Sequence, residues 1–278
     1  MAPHPKRLGQ ALPAFDRPPV TEVIIGLAFE PIPTLTGAMV GRIFPDYQVN
    51  SEQPLYIPLA ERFGPSSGLP QIGIQLLPTP PGARQWLASE GGAHLLQVQR
   101  DWMGQNWRRQ SADEVYPHFD EVRAALCRNW GQFTTYLSLH DMGSPKVTQC
   151  EVTYVNAISP DGMWSSFGDI DRVFMVARRR AAHAFLPRPD DETIQLRYSI
   201  PAQGRDEPAG RLHVSIQPAL RQPGPEAIFV MTLTARGVPL SQSDPGPFLF
   251  LDIAHEWIVR GFVDLTTARM HEVWGRSA

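Results

Sequence analysis

Two long stretches, residues 117–137 and 251–265, carry apolar residues at steps of three and four, and this spacing constrains the fold most. The apolar positions are Phe119, Val122, Leu126, Trp130, Phe133 and Leu137 in the first stretch and Leu251, Ala254, Ile258, Phe262 and Leu265 in the second. Apolar residues at these steps lie on one face of an α-helix. A helix with one apolar face has to bury it against another layer of structure, so each stretch predicts a partner sheet.

The segments that precede each predicted helix show the alternation of apolar and polar residues that is typical of strands. In the first half we expect strands at residues 20–29, at 72–76, around Trp86 and, as one long strand, at 94–107, with a short helix at 35–44. In the second half we expect strands at residues 150–158, 194–200, 212–216 and 228–233, with a helix at 169–185.

Each half therefore has the order strand, helix, three or four antiparallel strands, and long helix. This order predicts an α+β fold built from two tandem units, which suggests a duplication, although no residue-level identity at a fixed period supports it. The order resembles the helix-grip and TATA-binding-protein-like topologies, an analogy that carries no function with it. We expect a flexible N-terminal arm at residues 1–18, a first lobe at 19–141 and a second lobe at 146–278.

Charge and cysteine content indicate where such a chain works. The formal net charge of −3 gives no overall attraction for nucleic acid or an anionic membrane. Cys127 and Cys150 fall in a helix pattern and a strand pattern, and we interpret both as small buried apolar residues of a reducing compartment. The sequence has no signal segment and no apolar run of the roughly 18–20 residues that span a bilayer. We therefore expect a cytoplasmic protein with no membrane partner.

The zinc-protease motif and the common nucleotide-binding motifs do not occur in the sequence. The zinc-protease motif requires two histidines four residues apart on one helix. His255 and His271 are each followed by glutamate, but Val259 and Gly275 stand at the second histidine positions. Phosphate-binding loops and dinucleotide fingerprints are also missing. We expect no cofactor or metal and favour a non-enzymatic protein, although a catalytic triad on another scaffold leaves no fixed signature.

Residues 97–109 interleave amides, arginines and two tryptophans and form the most unusual segment of the chain. Arginine and aromatic side chains together stack on nucleic acid bases or anchor protein interfaces. The alternative is a strand whose arginines pair with nearby acids and whose tryptophans cover a junction between the lobes. In the predicted strand at 150–158, an asparagine aligned with core residues is a further irregularity. The candidate binding residues are Arg100, Trp102, Asn106, Trp107, Arg108, Arg109, Tyr154 and Asn156.

Several short motifs are spread along nearly the whole chain. They are Pro18-Pro19-Val20-x-Glu22-Val23 with Phe29-Glu30-Pro31, Gln99-Arg100-Asp101 with Asn106-Trp107-Arg108, Tyr116-Pro117, Glu151-x-Thr153-Tyr154-x-Asn156, and His255-x-Trp257-Ile258 to Trp274-Gly275. As a set they resemble a sporadically distributed family of uncharacterised bacterial proteins. This resemblance implies a relative rather than an activity, and sporadic occurrence implies an accessory gene such as one of a defence or toxin–antitoxin module.

Three functions remain open from the sequence. The first is a non-enzymatic binding or adaptor protein that acts with a protein partner, with a homodimer as one form of it. The second is small-molecule binding in a helix-grip cavity whose walls include Tyr154, Trp102 and Trp107. The third and least favoured, because of the negative net charge, is nucleic acid binding. Its candidate basic surface consists of Arg100, Trp107, Arg108, Arg109 and the run Arg178-Arg179-Arg180.

Overall fold

We describe a computed structural model of the chain. It describes residues 11–47, 49–57, 60–61, 84–179, 185, 187, 189–202, 204, 206–242 and 245–277. The strands in this part are β1 (Val20–Phe29), β2 (Val49–Gln53), β3 (Arg84–Ala88), β4 (His94–Gln99), β5 (Trp102–Arg108), β6 (Val147–Ile158), β7 (Ile194–Ile200), β8 (Gly210–Arg221) and β9 (Glu226–Gly237). The α-helices are α1 (Gly37–Ile43), α2 (His118–Leu139), α3 (Ile170–Val173), α4 (Gly246–Leu265) and α5 (Ala268–Val273).

All of these strands form one antiparallel sheet with the order β2-β3-β4-β5-β1-β6-β9-β8-β7. The first strand of each half pairs with the last strand of the same half, β1 with β5 and β6 with β9. The two halves meet where β1 pairs with β6, so the sheet continues through the boundary predicted near residues 141–146. The fold is therefore α+β, with both halves in a single sheet.

The two long helices cover one face of this sheet, side by side. α2 packs on β1 and β5, and α4 packs on β6 and β9. Arg123 of α2 and Asp252 of α4 form a bidentate ion pair at 2.6 and 2.9 Å, which ties the helices together. Fully buried side chains such as Ile25 and Phe133 fill the space between helices and sheet. Burial of a side chain of this size contributes roughly 1.5–3 kcal/mol.

The strand predicted at residues 94–107 is wrong, because the chain forms a hairpin there. β4 ends at Gln99, which pairs with Trp102 across the two-residue turn Arg100-Asp101. The Gln99 side chain donates to the Asp101 carboxylate at 2.6 Å and so stabilises the turn. This turn has neither glycine nor asparagine, the residues that usually mark a two-residue hairpin loop.

The helix predicted at residues 169–185 is also largely wrong. The described residues form two 3₁₀ turns, Phe167–Asp169 and Met175–Arg179, on either side of the four-residue α3. Phe174 breaks the helix because its backbone is extended and forms a β-bridge with Thr266. The Phe174 side chain is completely buried. The predicted strand at 72–76 lies outside the described residues.

Residues 11–18 belong to the predicted N-terminal arm and are attached to the end of the chain. Asp16 and Arg17 donate main-chain hydrogen bonds to the carbonyls of Gly275 and Trp274, both at 3.0 Å. Phe15 packs edge-on against Phe262, with the ring centroids 5.6 Å apart. This part of the arm is therefore held beside α4. Residues 1–10 lie outside the described part of the structure.

Candidate functional site

A cavity of about 300 Å³ lies on the helix-covered face of the sheet, where α2, α4 and residues 12–18 meet β1, β6 and β9. Most of its wall is apolar, and a small set of polar side chains lies among these apolar residues. The lining residues are Leu12, Pro13, Ala14, Phe15, Pro18, Val20, Tyr116, His118, Phe119, Asp120, Tyr154, Asn156, Leu233, His255, Ile258, Val259 and Phe262. Its volume is at the small end of the range of roughly 300–1,000 Å³ that is typical of ligand pockets.

Regular secondary structure positions the side chains of this wall. His255, Ile258 and Phe262 follow each other at steps of three and four on α4, which places them on one helix face. Tyr154 and Asn156 are two residues apart on β6 and so lie on the same face of the sheet. A helix and a strand thus present their residues to the cavity from opposite sides.

The beginning of α2 supplies the rest of the polar wall through an unusual backbone conformation. His118, the first residue of α2, has φ +66°, which lies in the left-handed region. Histidine adopts this region more often than most residues, but it still costs of order 1 kcal/mol. The bend leaves His118 and Asp120 exposed while Phe119 is buried. Strained residues of this kind cluster at functional sites, so the observation supports the cavity as a site.

Three polar side chains of the wall form a continuous hydrogen-bonded chain. The Tyr116 and Tyr154 hydroxyls are 2.7 Å apart, and the Tyr154 hydroxyl lies 3.0 Å from Nδ1 of His255. The imidazole ring of His255 stacks face to face on Phe119 with the centroids 4.0 Å apart. Trp107 packs behind Tyr116 at 5.2 Å. We call this set, Tyr116, Tyr154 and His255, the Tyr-Tyr-His chain.

Burial keeps every member of the Tyr-Tyr-His chain uncharged at neutral pH. It lowers the pKa of His255 to about 4, although the nearby Asp120 carboxylate acts in the opposite direction. Burial also raises the pKa of Tyr116 and raises that of Tyr154 well above its ordinary value. A neutral imidazole has one donor and one acceptor nitrogen, so the protons of the chain can point either way along it. The chain is therefore able to donate or to accept a hydrogen bond.

Two of the residues predicted from the sequence lie in this wall. Tyr154 is the middle of the Tyr-Tyr-His chain, and Asn156 lines the cavity beside it. The Asn156 side chain donates from Nδ2 to the carbonyl of Met231 at 3.2 Å, which holds the amide in place. Trp107 does not line the cavity. It lies behind Tyr116, and its Nε1 donates to Glu114 at 3.2 Å.

Trp102, which we had expected as another cavity wall, lies on the opposite face of the sheet. Its indole lies directly over Gly26 and Gly104. A Cβ atom at either glycine would therefore collide with the ring. Tyr56 packs on this indole at 4.8 Å, and its hydroxyl donates to Glu151 at 3.3 Å. The same Glu151 carboxylate is paired with Arg236. This face therefore holds a packed polar cluster.

Asn106 also lies on the opposite face. Its amide accepts a hydrogen bond from Gln97 at 2.7 Å and donates to Glu22 at 2.9 Å. These partners account for its burial, since a buried amide needs hydrogen-bonding groups of its own. Asn106 is thus held by polar partners on this face of the sheet and is not part of the cavity wall.

The arginines of residues 97–109 do not form a single patch. Arg100 lies in the turn between β4 and β5, and Arg108 is exposed at the far end of β5, roughly 20 Å away along the strand. The Arg109 guanidinium lies over the Trp107 ring at 6.0 Å. In the basic run, Arg178 and Arg179 belong to a 3₁₀ turn, and Arg180 lies outside the described residues.

Sequence reasoning missed Tyr116, His118, Asp120 and His255 as site residues. A signal did exist for His255, because it stands four residues after Leu251 and three before Ile258, on the buried stripe of α4. No comparable local signal marks Asp120, since acidic residues are common in the first turn of any helix.

Comparisons with known proteins do not extend this description. No protein-family model matches the chain, and no curated protein matches it. Among the described residues, no group of three His, Cys, Asp or Glu side chains is placed to hold a metal ion. No described helix is both long enough and apolar enough to cross a membrane.

Proposed function

We propose that this protein binds a small, largely apolar molecule in the cavity between α2 and α4, without transforming it chemically. The observation that carries the proposal is the Tyr-Tyr-His chain, which places hydrogen-bonding groups inside an otherwise apolar cavity. Ligand sites typically combine an apolar wall with a few polar groups that orient the ligand. We also propose that the fold is a helix-grip arrangement that arose by tandem duplication. The same pairing of first and last strand in each half, β1 with β5 and β6 with β9, supports this.

The protonation states support binding over catalysis. A general acid or base works best with a pKa near the operating pH. Burial instead moves the pKa of His255 down to about 4 and moves the pKa values of both tyrosines further up. At neutral pH these groups neither gain nor lose a proton, which suits hydrogen bonding to a ligand more than proton transfer.

The adaptor hypothesis relied on the arginines and tryptophans of residues 97–109, which include Trp102 and Trp107, as anchors for a protein partner. Both indoles are almost completely buried, at 3% and 1% exposure, beneath Tyr56 and Tyr116 respectively. Interface anchors in a free protein need to be accessible to the partner. The burial of these side chains therefore favours the cavity as the place where this protein recognises another molecule.

Dye binding with a matched pair of α4 variants tests the proposal. N-phenyl-1-naphthylamine, a neutral apolar dye, becomes fluorescent when it enters an apolar cavity. Val259→Phe adds volume to the cavity wall, whereas Leu249→Phe makes a similar change on the same helix at an exposed residue outside the wall. We expect at least a tenfold weaker dye affinity for Val259→Phe and unchanged affinity for Leu249→Phe. Circular dichroism should show that both variants fold. Equal affinity in the two variants, or no dye binding to the wild type, would contradict the proposal.

A further inference from the structure

The charged side chains around the cavity indicate which charge the ligand carries, whereas the cavity volume indicates only its size. Among the described lining residues, Asp120 is the one acidic side chain, and neither lysine nor arginine occurs. Arg123, three residues after Asp120 on α2, lies outside the lining, and both its Nε and its Nη2 bind Asp252. Arg17, beside the N-terminal wall, donates to the carbonyl of Val273. An anionic ligand would therefore meet a carboxylate, with neither lysine nor arginine beside it in the described wall.

The aromatic side chains of the wall favour the opposite charge. The rings of Phe15, Tyr116, Phe119, Tyr154 and Phe262 surround the cavity. The face of an aromatic ring attracts a cation placed within about 6 Å of its centre, and the attraction grows when water is excluded. Proteins use cages of aromatic rings to bind ammonium groups such as those of choline and methylated lysine.

The hydrogen-bonding polarity of the Tyr-Tyr-His chain is compatible with such a group. An ammonium group only donates hydrogen bonds, so it needs acceptors. If the ligand donates to the Tyr116 oxygen, Tyr116 donates to Tyr154 and Tyr154 donates to Nδ1 of His255, at the distances of 2.7 and 3.0 Å already described. Each hydroxyl proton of the chain then has an acceptor without any change in charge. The chain by itself would equally serve an accepting ligand, so Asp120 decides between the two directions.

We propose that the ligand is a small apolar amine in its ammonium form, with the ammonium group between Asp120 and the Tyr116 hydroxyl. Its apolar body packs against Phe15, Ile258 and Phe262. This inference rests on the proposed function, since it specifies the ligand class of the same cavity. Attraction between the ammonium group and Asp120 makes the affinity depend on salt, because Asp120 is exposed and such attraction is screened.

Three compounds that share one apolar group separate charge from shape. 2-Phenylethylamine, 2-phenylethanol and 3-phenylpropanoate carry an ammonium, a hydroxyl and a carboxylate group on the same phenylethyl group. Their dissociation constants are measured at pH 7 and low salt by displacement of N-phenyl-1-naphthylamine and by calorimetry. We expect the amine to bind at least tenfold more tightly than the alcohol, and the carboxylate to bind more weakly than either.

A matched pair of variants on the first turn of α2 tests the role of Asp120. Asp120→Asn should reduce the preference for the amine over the alcohol to less than threefold and leave the affinity for the alcohol unchanged. Glu121→Gln removes the same charge one residue away, from an exposed side chain outside the wall, and should keep the tenfold preference. An alcohol that binds as tightly as the amine, or equal effects of the two variants, would overturn the inference while leaving the cavity as a binding site. If neither the dye nor any of the three compounds binds, the proposed function fails together with the inference.

Discussion

Replacing Tyr154 by phenylalanine removes the hydroxyl at the centre of the Tyr-Tyr-His chain and changes little else. The hydroxyl lies 2.7 Å from the Tyr116 hydroxyl and 3.0 Å from Nδ1 of His255, so the substitution breaks two hydrogen bonds. A buried hydrogen bond contributes about 1 kcal/mol to stability, and a partner that is left without one costs more. Tyr116 and His255 are only half-buried and border the cavity, so water can replace part of the loss. We expect Tyr154→Phe to lower the free energy of unfolding by about 2 kcal/mol.

Urea denaturation followed by circular dichroism measures this change. The midpoint should fall while the dependence of stability on urea stays constant, which indicates that the extent of unfolding is the same. Tyr136→Phe on α2 is the matched control, because no described residue hydrogen-bonds to the Tyr136 hydroxyl. The control should change stability by less than about 0.5 kcal/mol, as is usual for surface substitutions.

A double-mutant cycle with Tyr116→Phe tests whether the two hydroxyls interact directly. Residues that contact each other show coupling energies of roughly 0.5–3 kcal/mol, whereas distant residues have additive effects. Coupling below about 0.3 kcal/mol between Tyr116→Phe and Tyr154→Phe would refute the hydrogen-bonded chain. A Tyr154→Phe variant as stable as the control would refute it as well.

Two further predictions concern His255 and the glycines. Burial holds the pKa of His255 in the folded protein at about 4, below its ordinary value of about 6.5, so the unfolded chain takes up this proton first as the pH falls. The contribution of neutral His255 to the free energy of unfolding is complete above pH 6.5 and decreases by up to about 3 kcal/mol towards pH 4. His255→Gln should lack this decrease. Identical pH profiles of the two proteins in denaturant titrations would contradict the assignment. Gly104→Ala should destabilise the protein by about 1–3 kcal/mol because the added methyl collides with the Trp102 ring. Gly131→Ala, on the exposed surface of α2 with open space around it, should stabilise it by about 0.5–1 kcal/mol; thermal melts that rank the two variants otherwise would contradict the packing described.

The sequence predicts the long helices better than the connections between strands. α2 and α4 each bury one regular stripe, and that periodicity is a local property of the chain. The turn at Arg100-Asp101 depends instead on a contact made by the Gln99 side chain and has neither glycine nor asparagine. The break at Phe174 depends on its pairing with Thr266, which is distant in sequence. Local patterns do not contain these contacts.

The candidate site was predictable only where it interrupts a pattern. Asn156 is a candidate from the sequence because its amide aligns with core residues on a strand, and Tyr154 is one because an aromatic side chain can line a cavity. His255 was interpreted as half of a failed zinc motif, although its place on the buried stripe of α4 was available from the sequence. Tyr116 has no such signal, because its role follows from a contact with a residue 38 positions away. The strand pairing that brings these residues together is a tertiary property.

The cavity lies at the junction of the two halves and requires both. Tyr116 and Asp120 come from the end of the first half, whereas Tyr154 and His255 come from the first strand and the long helix α4 of the second. They meet because β1 pairs with β6 and because Arg123 of α2 binds Asp252 of α4. A single half could build a sheet with one helix across it, but it would hold only part of the Tyr-Tyr-His chain and one side of the cavity. If the halves arose by duplication, the binding site is therefore a property of the fused pair, and its residues need not be repeated between the halves.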